Sequence, residues 1–117
     1  MERLKRRHDF VAAARAAYAA MPGLTVQARD RGDTDAPRVG FTATKKLGNA
    51  VMRNRIKRRL REIARLHLPA EARPGHDYVL IGRQPALTRA FAELENDFAS
   101  ALKRLHRSRR PAEKDAT

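Results

Sequence analysis

Residues 45–61 place eight cations (Lys45, Lys46, Arg53, Arg55, Lys57, Arg58, Arg59 and Arg61) and no acid around one apolar stripe, Met52, Ile56, Leu60 and Ile63. The stripe recurs at i, i+4, i+8 and i+11, the period of a helix with one buried face. Such a helix must dock by its stripe and leave the rest of its surface densely cationic. On a wheel of about 100° per residue, Arg53 and Lys57 flank one side of the stripe and Arg55 and Arg59 the other. Arg58, Arg61 and Arg65 cover the back. Asn49 is a suitable N-cap and Pro69 a stop, so a helix is predicted over residues 49–67.

This arrangement costs stability. Arg53–Lys57, Arg55–Arg59, Lys57–Arg61 and Arg61–Arg65 are like-charge i, i+4 pairs, each unfavourable by a few tenths of a kcal/mol, and Arg58–Glu62 offsets only one of them. Lys45, Lys46 and Arg53 also oppose the helix dipole. A phosphate near the helix N-terminus would relieve the repulsion and use free backbone N–H groups. Arginine outnumbers lysine in the run, and its planar fork binds phosphate bidentately and stacks on bases. Asn54, between two arginines, suits a base edge or a ribose, and equally a second cap or a neutral surface position.

The other segments supply what the helix must dock on. Phe10, Ala13, Ala14, Ala17 and Met21 predict a first helix over residues 8–21, stopped by Met21-Pro22-Gly23. Leu24, Val26 and Ala28 alternate with polar residues over 24–29, and Val39, Phe41 and Ala43 alternate over 39–44. Both read as strands, and the polar stretch 30–37 between them predicts an antiparallel hairpin. After a loop at 69–75, residues 77–83 form a third strand, with Val79 and Ile81 on one face and Tyr78 and Leu80 on the other. Apolar residues on both faces predict a central or well-covered position. Phe91, Leu94, Phe98, Leu102 and Leu105 stripe a last helix over 88–106, and 107–117 reads as a disordered basic tail. The expected fold is a single α+β domain over residues 1–106, of order α-β-β-α-β-α. Its two layers are helices packed on a sheet of three or four strands.

Lys plus Arg total 26 against 13 Asp plus Glu, a formal net charge of +13, and the excess is clustered as a polyanion partner requires. There is no cysteine, which rules out disulfides and thiolate metal sites and fits a reducing cytoplasm. No apolar run approaches the roughly 20 residues of a membrane span. Asp30, Asp33 and Asp35 read as a solvated loop. His8, His67, His76 and His106 lack ligand spacing, and Lys45-Lys46-Leu47-Gly48 lacks the glycines of a phosphate-binding loop. No catalytic constellation of its own is legible in the chain.

Residues 38–61, RVGFTATKKLGNAVMRNRIKRRLR, resemble the signature of the bacterial ribonuclease P protein family. The matching elements are a strand ending in Lys45-Lys46, then Gly48-Asn49-Ala50-Val51, then Arg53-Asn54-Arg55-Ile56-Lys57-Arg58 on a helix. Leu4-Lys5-Arg6 with Asp9-Phe10 is similar to the family's opening, and Asp77-Tyr78-Val79-Leu80-Ile81 through Pro85 to its third strand. The likeness therefore spans residues 3–105 and is weakest in the last helix.

The resemblance implies a left-handed β-α-β crossover. It also implies a subunit without a catalytic site, assisting a catalytic RNA that uses Mg²⁺, bound mainly by that RNA, to remove the 5′ leader of precursor tRNA. Carried over by position, Arg53, Asn54, Arg55, Lys57 and Arg58 meet the catalytic RNA, with Lys45, Lys46, Arg59 and Arg61 extending that surface. Phe10, Tyr18, Gln27, Thr42 and Thr44 are the implied leader-binding residues, although Phe10 also suits plain core packing. Relatives often carry aromatics at the positions of Ala14 and Gln27, so leader affinity here is expected to lean more on charge than on stacking. The implied partners are the catalytic RNA and precursor tRNA, with no membrane and no obligate protein partner, in the cytoplasm.

Three rivals explain less. A structural RNA-binding protein accounts for the charge but not for residues 38–61. A DNA-binding helix-turn-helix does not place strands on both sides of its basic helix. A membrane-surface helix would need the apolar stripe that the core uses.

Overall fold

A strand that is apolar on both faces needs cover on both faces, and residues 76–82 lie at the centre of the sheet. The computed structural model describes the backbone of residues 1–115 and the side chains of residues 1–107. In chain order the elements are β1 (Glu2–Arg3), α1 (Arg7–Ala14), β2 (Ala17–Ala20), β3 (Leu24–Asp30), β4 (Arg38–Thr42), α2 (Ala50–Glu71), β5 (His76–Gly82) and α3 (Phe91–Asp115). Short 3-10 turns stand at Lys45–Leu47 and Gln84–Leu87. The five strands form one mixed sheet of order β1-β4-β5-β3-β2. β5 pairs parallel with β4 and antiparallel with β3.

The register sorts the side chains. Leu24, Val26 and Ala28 stand opposite Gly82, Leu80 and Tyr78, and Val39 and Phe41 stand beside Tyr78 and Leu80 on the other flank. These residues form the main core with Ile56, Leu60, Ile63, Ala64 and Leu68 of α2 and Leu94, Phe98, Ala101, Leu102 and Leu105 of α3. Both helical stripes read from the sequence thus face the core, with Met52 and Phe91 at their leading ends half-buried. α2 crosses β5 closely at Gly82, where an added Cβ would lie 2.3 Å from Ile56 Cγ2.

Four expectations need correction. Residues 8–21 are not one helix, because α1 stops at Ala14 and Ala17–Ala20 is strand β2, antiparallel to β3. Alanine favours helix but gives it nothing to bury, whereas the extended segment gains a hydrogen-bonded ladder and puts Ala19 in the core. Met21-Pro22-Gly23 is then a hairpin turn, closed by Met21 N–H donating to Leu24 O at 2.8 Å.

Second, β3 and β4 are not a hairpin. β5 inserts between them, and the connection crosses its end, pinned where Arg31 donates to the carbonyls of Asp35, Ala36 and His76. Third, the sheet has five strands rather than three or four, because β2 pairs on β3 and the two-residue β1 pairs on β4. α1 packs on the face opposite α2 and α3, a partial third layer in which Phe10 joins Leu4, Ala13, Val79 and Ile81. Fourth, Pro69 lies inside α2, which runs on to Glu71. In the last turn a proline forfeits only one helical hydrogen bond, and Ala72 N–H still reaches Leu68 O at 2.7 Å. The basic tail expected at 107–117 falls, from residue 108, outside the residues whose side chains are described.

Candidate nucleic-acid interface

Two surfaces collect the residues singled out in the sequence. The first is the outer side of α2. Asn49 caps the helix as expected, its Oδ1 accepting from Met52 N–H at 2.9 Å. Lys45 and Lys46 are exposed in the preceding 3-10 turn, and Asn54, Arg55, Arg58 and Arg61 are exposed along the helix. Arg53 and Lys57 are half-buried at the flank of the stripe. Among the described residues, none of Lys45, Lys46, Arg53, Arg55, Lys57, Arg58 and Arg61 has a carboxylate within ion-pair distance. The helix's one internal ion pair is Arg65 with Glu62, not the Arg58–Glu62 pair expected, and its hydrogen bond holds the Glu62 carboxyl below its ordinary value. Arg53 Nε is buried without a hydrogen-bond partner among the described residues.

Arg59 differs from its neighbours. It turns inward and donates to Ala86 O at 2.7 Å and Arg89 O at 2.5 Å, tying the segment after β5 to the helix. Its charge still adds to the cationic surface, but its fork is occupied by the fold.

The second surface is the sheet face opposite α2 and α3. Tyr18 of β2, Gln27 of β3, Val79 of β5 and Gly40 of β4 form one transverse row by register. The next row is Ala20, Thr25, Ile81 and Thr42. Phe10 lies over Gly40, where an added Cβ would be 2.6 Å from the ring, so only glycine admits it. Phe10, Tyr18, Gln27 and Thr42 therefore share one face. Thr44 is exposed beyond the end of β4 and outside the sheet. Tyr18, 67% exposed, reaches this face from strand β2 and not from the helix expected over residues 8–21. Ala14, the last residue of α1, is exposed and offers no ring.

Behind Phe10 lies a charge network that sequence reasoning missed. Asp77, fully buried, accepts from Arg38 Nε and Nη2 at 2.8 Å each and from Arg31 Nη1 at 2.5 Å. Burial raises its pKa, but the hydrogen bonds from Arg38 and Arg31 outweigh that and hold it below its ordinary 3.8. Asp9 of α1, 6% exposed, lies 3.5 Å from Arg38 Nη2 and 3.6 Å from Arg29 Nη1. Arg31 is also pinned by Asp33, at 3.0 and 3.1 Å, so that loop acid is a structural partner as well as a solvated one. The signal was present: Asp77 stands next to the apolar run Tyr78–Ile81 in β5, and Arg29, Arg31 and Arg38 flank it on neighbouring segments.

Among the described residues no three His, Asp or Glu side chains come together to hold a metal ion. A groove of about 840 Å³ between α2 and α3 is lined by Leu66, His67, Glu95, Phe98 and His106, and by none of the expected site residues.

A mixed sheet with helices on both faces, a densely cationic helix and, among the described residues, no group of three metal-ligating side chains define a small basic α+β protein whose surfaces suit a polyanion. The comparisons narrow the class. The Ribonuclease P family model matches residues 1–106. The chain is 55% identical over 102 residues to the ribonuclease P protein component of Caulobacter vibrioides, covering 86% of this chain and 68% of that one. It is 54% identical over 106 residues to that of Ruegeria pomeroyi, covering 88% and 85%. Among solved structures, the Staphylococcus aureus RNase P protein superposes with TM-score 0.73 at 32% identity over 88% of this chain and 94% of that one. The Thermotoga maritima RNase P protein does so with TM-score 0.72 at 28% identity over 89% and 97%. The chain belongs to the ribonuclease P protein family.

Proposed function

We propose that the chain binds the catalytic RNA of ribonuclease P through α2 and the 5′ leader of precursor tRNA across the open sheet face, assisting Mg²⁺-dependent removal of the leader. The observation that carries this is the outer side of α2, where Arg53, Arg55, Lys57, Arg58 and Arg61 stand without an acid in reach among the described residues. Guanidinium groups crowded on a docked helix are costly unless phosphate meets them. The sheet face offers a different chemistry: Phe10 and Tyr18 present rings for base stacking, and Gln27 and Thr42 present hydrogen-bonding groups between them.

In this proposal the protein supplies position and charge and the RNA holds the active site and most of the Mg²⁺. The protein's cations offset repulsion between two RNAs and so reduce the Mg²⁺ needed. The setting proposed is the cytoplasm. No described helix is long and apolar enough to cross a membrane.

The test is reconstitution. Protein, catalytic RNA and precursor tRNA are combined at low Mg²⁺, each component is omitted in turn, and leader release is measured. Stimulation by the protein that disappears without the RNA is expected, and cleavage by protein alone overturns the proposal. Phe10→Ala is expected to weaken binding of leader-bearing precursor by about five- to tenfold, the lower range for one stacked base, and to leave mature tRNA unaffected. Equal loss for both substrates would remove Phe10 from the leader surface.

A further inference from the structure

Helix α1 is only eight residues long and has no side-chain N-cap. A helix that short holds its place by tertiary contacts rather than by its own propensity. Its contacts with the sheet are few: Ala13 and Phe10 touch the small cluster around Val79, and Asp9 reaches the arginines.

Those arginines are themselves fixed from below. Asp77 grips Arg38 by both arms of its fork, at 2.8 Å each. The same Nη2 that bonds Asp77 lies 3.5 Å from Asp9. Arg29 Nη1, buried and without a hydrogen bond among the described residues, sits 3.6 Å from Asp9 and 3.7 Å from Asp77. Asp9 is therefore held by charge between two guanidinium groups whose positions the strands dictate. Its neighbour in sequence, Phe10, lies over Gly40, two residues along β4 from Arg38 and on the same face. Gly40 lets the ring approach but gives it no lateral stop.

We propose that Asp9 is a positioning residue for leader recognition: the relay Asp77–Arg38–Asp9, its two acids buried and its arginine half-buried, with Arg29 alongside, sets where α1 rests and hence where Phe10 presents its ring. The inference rests on the reading of the sheet face as the leader surface. It goes beyond that reading by assigning the selectivity for leader-bearing RNA in part to a carboxylate that touches no RNA. The relay uses charge at 3.5–3.6 Å rather than a short directed bond, so neutralising Asp9 should loosen α1 without emptying the core.

The holoenzyme, reconstituted with catalytic RNA, is titrated with precursor tRNA and with mature tRNA, using wild type, Asp9→Asn, Phe10→Ala and the double variant. Thermal unfolding of each protein is recorded alongside. Asp9→Asn is expected to lower affinity for the leader-bearing precursor by about fivefold, the low end for a lost stacked base, with mature tRNA unchanged. The double variant is expected to be no worse than Phe10→Ala, because both changes remove the same contact. A purely structural Asp9 would instead weaken both RNAs alike, or add its effect to that of Phe10→Ala, and either result overturns the inference.

If wild type discriminates and Phe10→Ala loses discrimination while Asp9→Asn keeps it, the relay fails and the leader surface stands. If wild type shows no preference for the leader, the leader surface fails and the relay with it. Should Asp9→Asn not fold, Arg38→Lys takes its place. A lysine keeps the charge on Asp77 but lacks the second arm, and unchanged leader selectivity in that variant is equally fatal.

Discussion

Replacing Arg53 and Arg55 together by alanine is expected to weaken binding to the catalytic RNA on the order of 100-fold, since each charge-assisted hydrogen bond contributes roughly 1.5–3 kcal/mol. Filter binding or fluorescence titration across salt concentrations reads this directly. Wild-type affinity should fall about 10³–10⁵-fold between 50 and 200 mM salt if six to ten phosphates are contacted. The double variant should flatten that dependence by roughly one unit of slope per lost phosphate. The fold should survive, because Arg55 is exposed and Arg53 Nε forms no hydrogen bond among the described residues. Arg59→Ala is the contrasting control. It removes the donors to Ala86 O and Arg89 O, so it should lower thermal stability while changing the salt slope least. An unchanged affinity in the Arg53/Arg55 variant would put the RNA on another face.

Asp77→Ala is expected to destabilise the protein by about 3–5 kcal/mol, the cost of breaking a buried ion pair from one side. That is a large part of the 5–15 kcal/mol typical of a whole domain. The change strands Arg38 and Arg31 against the end of β5 and frees the 31–37 connection. Urea denaturation measures it. The same carboxylate imposes an acid limit. Its folded pKa lies below the ordinary 3.8, so its contribution is complete above that value and is lost as pH falls through the folded pKa. Wild-type stability should hold from neutrality to about pH 5 and decline below pH 4. In Asp77→Asn, this component of the acid decline should be absent. A variant that matches wild type in both stability and acid response would show that the arginine cluster is indifferent to its central acid.

What was legible in the chain follows from which residues had to be buried. The stripes Met52–Ile56–Leu60–Ile63 and Leu94–Phe98–Leu102–Leu105 each needed a core and named their own inward face. The Asn49 cap and the two-faced apolar strand around Val79 were equally plain. Residues 17–20 were not. Three alanines and an exposed tyrosine satisfy a helix as well as a strand, and only the partner strand β3 decides between them. Likewise the turn-rich 30–37 stretch fits a hairpin until Arg31 and Asp77 draw it across the end of β5. The cationic side of α2 was readable because charge density does not depend on topology. The shared face of Phe10, Tyr18, Gln27 and Thr42 was implied by resemblance alone, since it depends on strand register. The Asp77 relay escaped because its members are spread over residues 9–77 and carry no local periodicity.

The insertion of β5 between β3 and β4 has a consequence for the chain as it emerges from synthesis. Everything before residue 76 lacks the strand that joins its two halves. The β2–β3 ribbon and the β4–α2 segment must therefore wait, unconnected, for a later piece. During that interval α2 carries its crowded cations with no sheet to rest on. Long-range closure of this kind slows folding and prolongs exposure. A nascent chain stalled before its central strand would expose a crowded row of cations on a helix with nothing to dock against, which makes emergence of residues 76–82 the step that lets the two halves meet, ahead of the α3 stripe that closes the core.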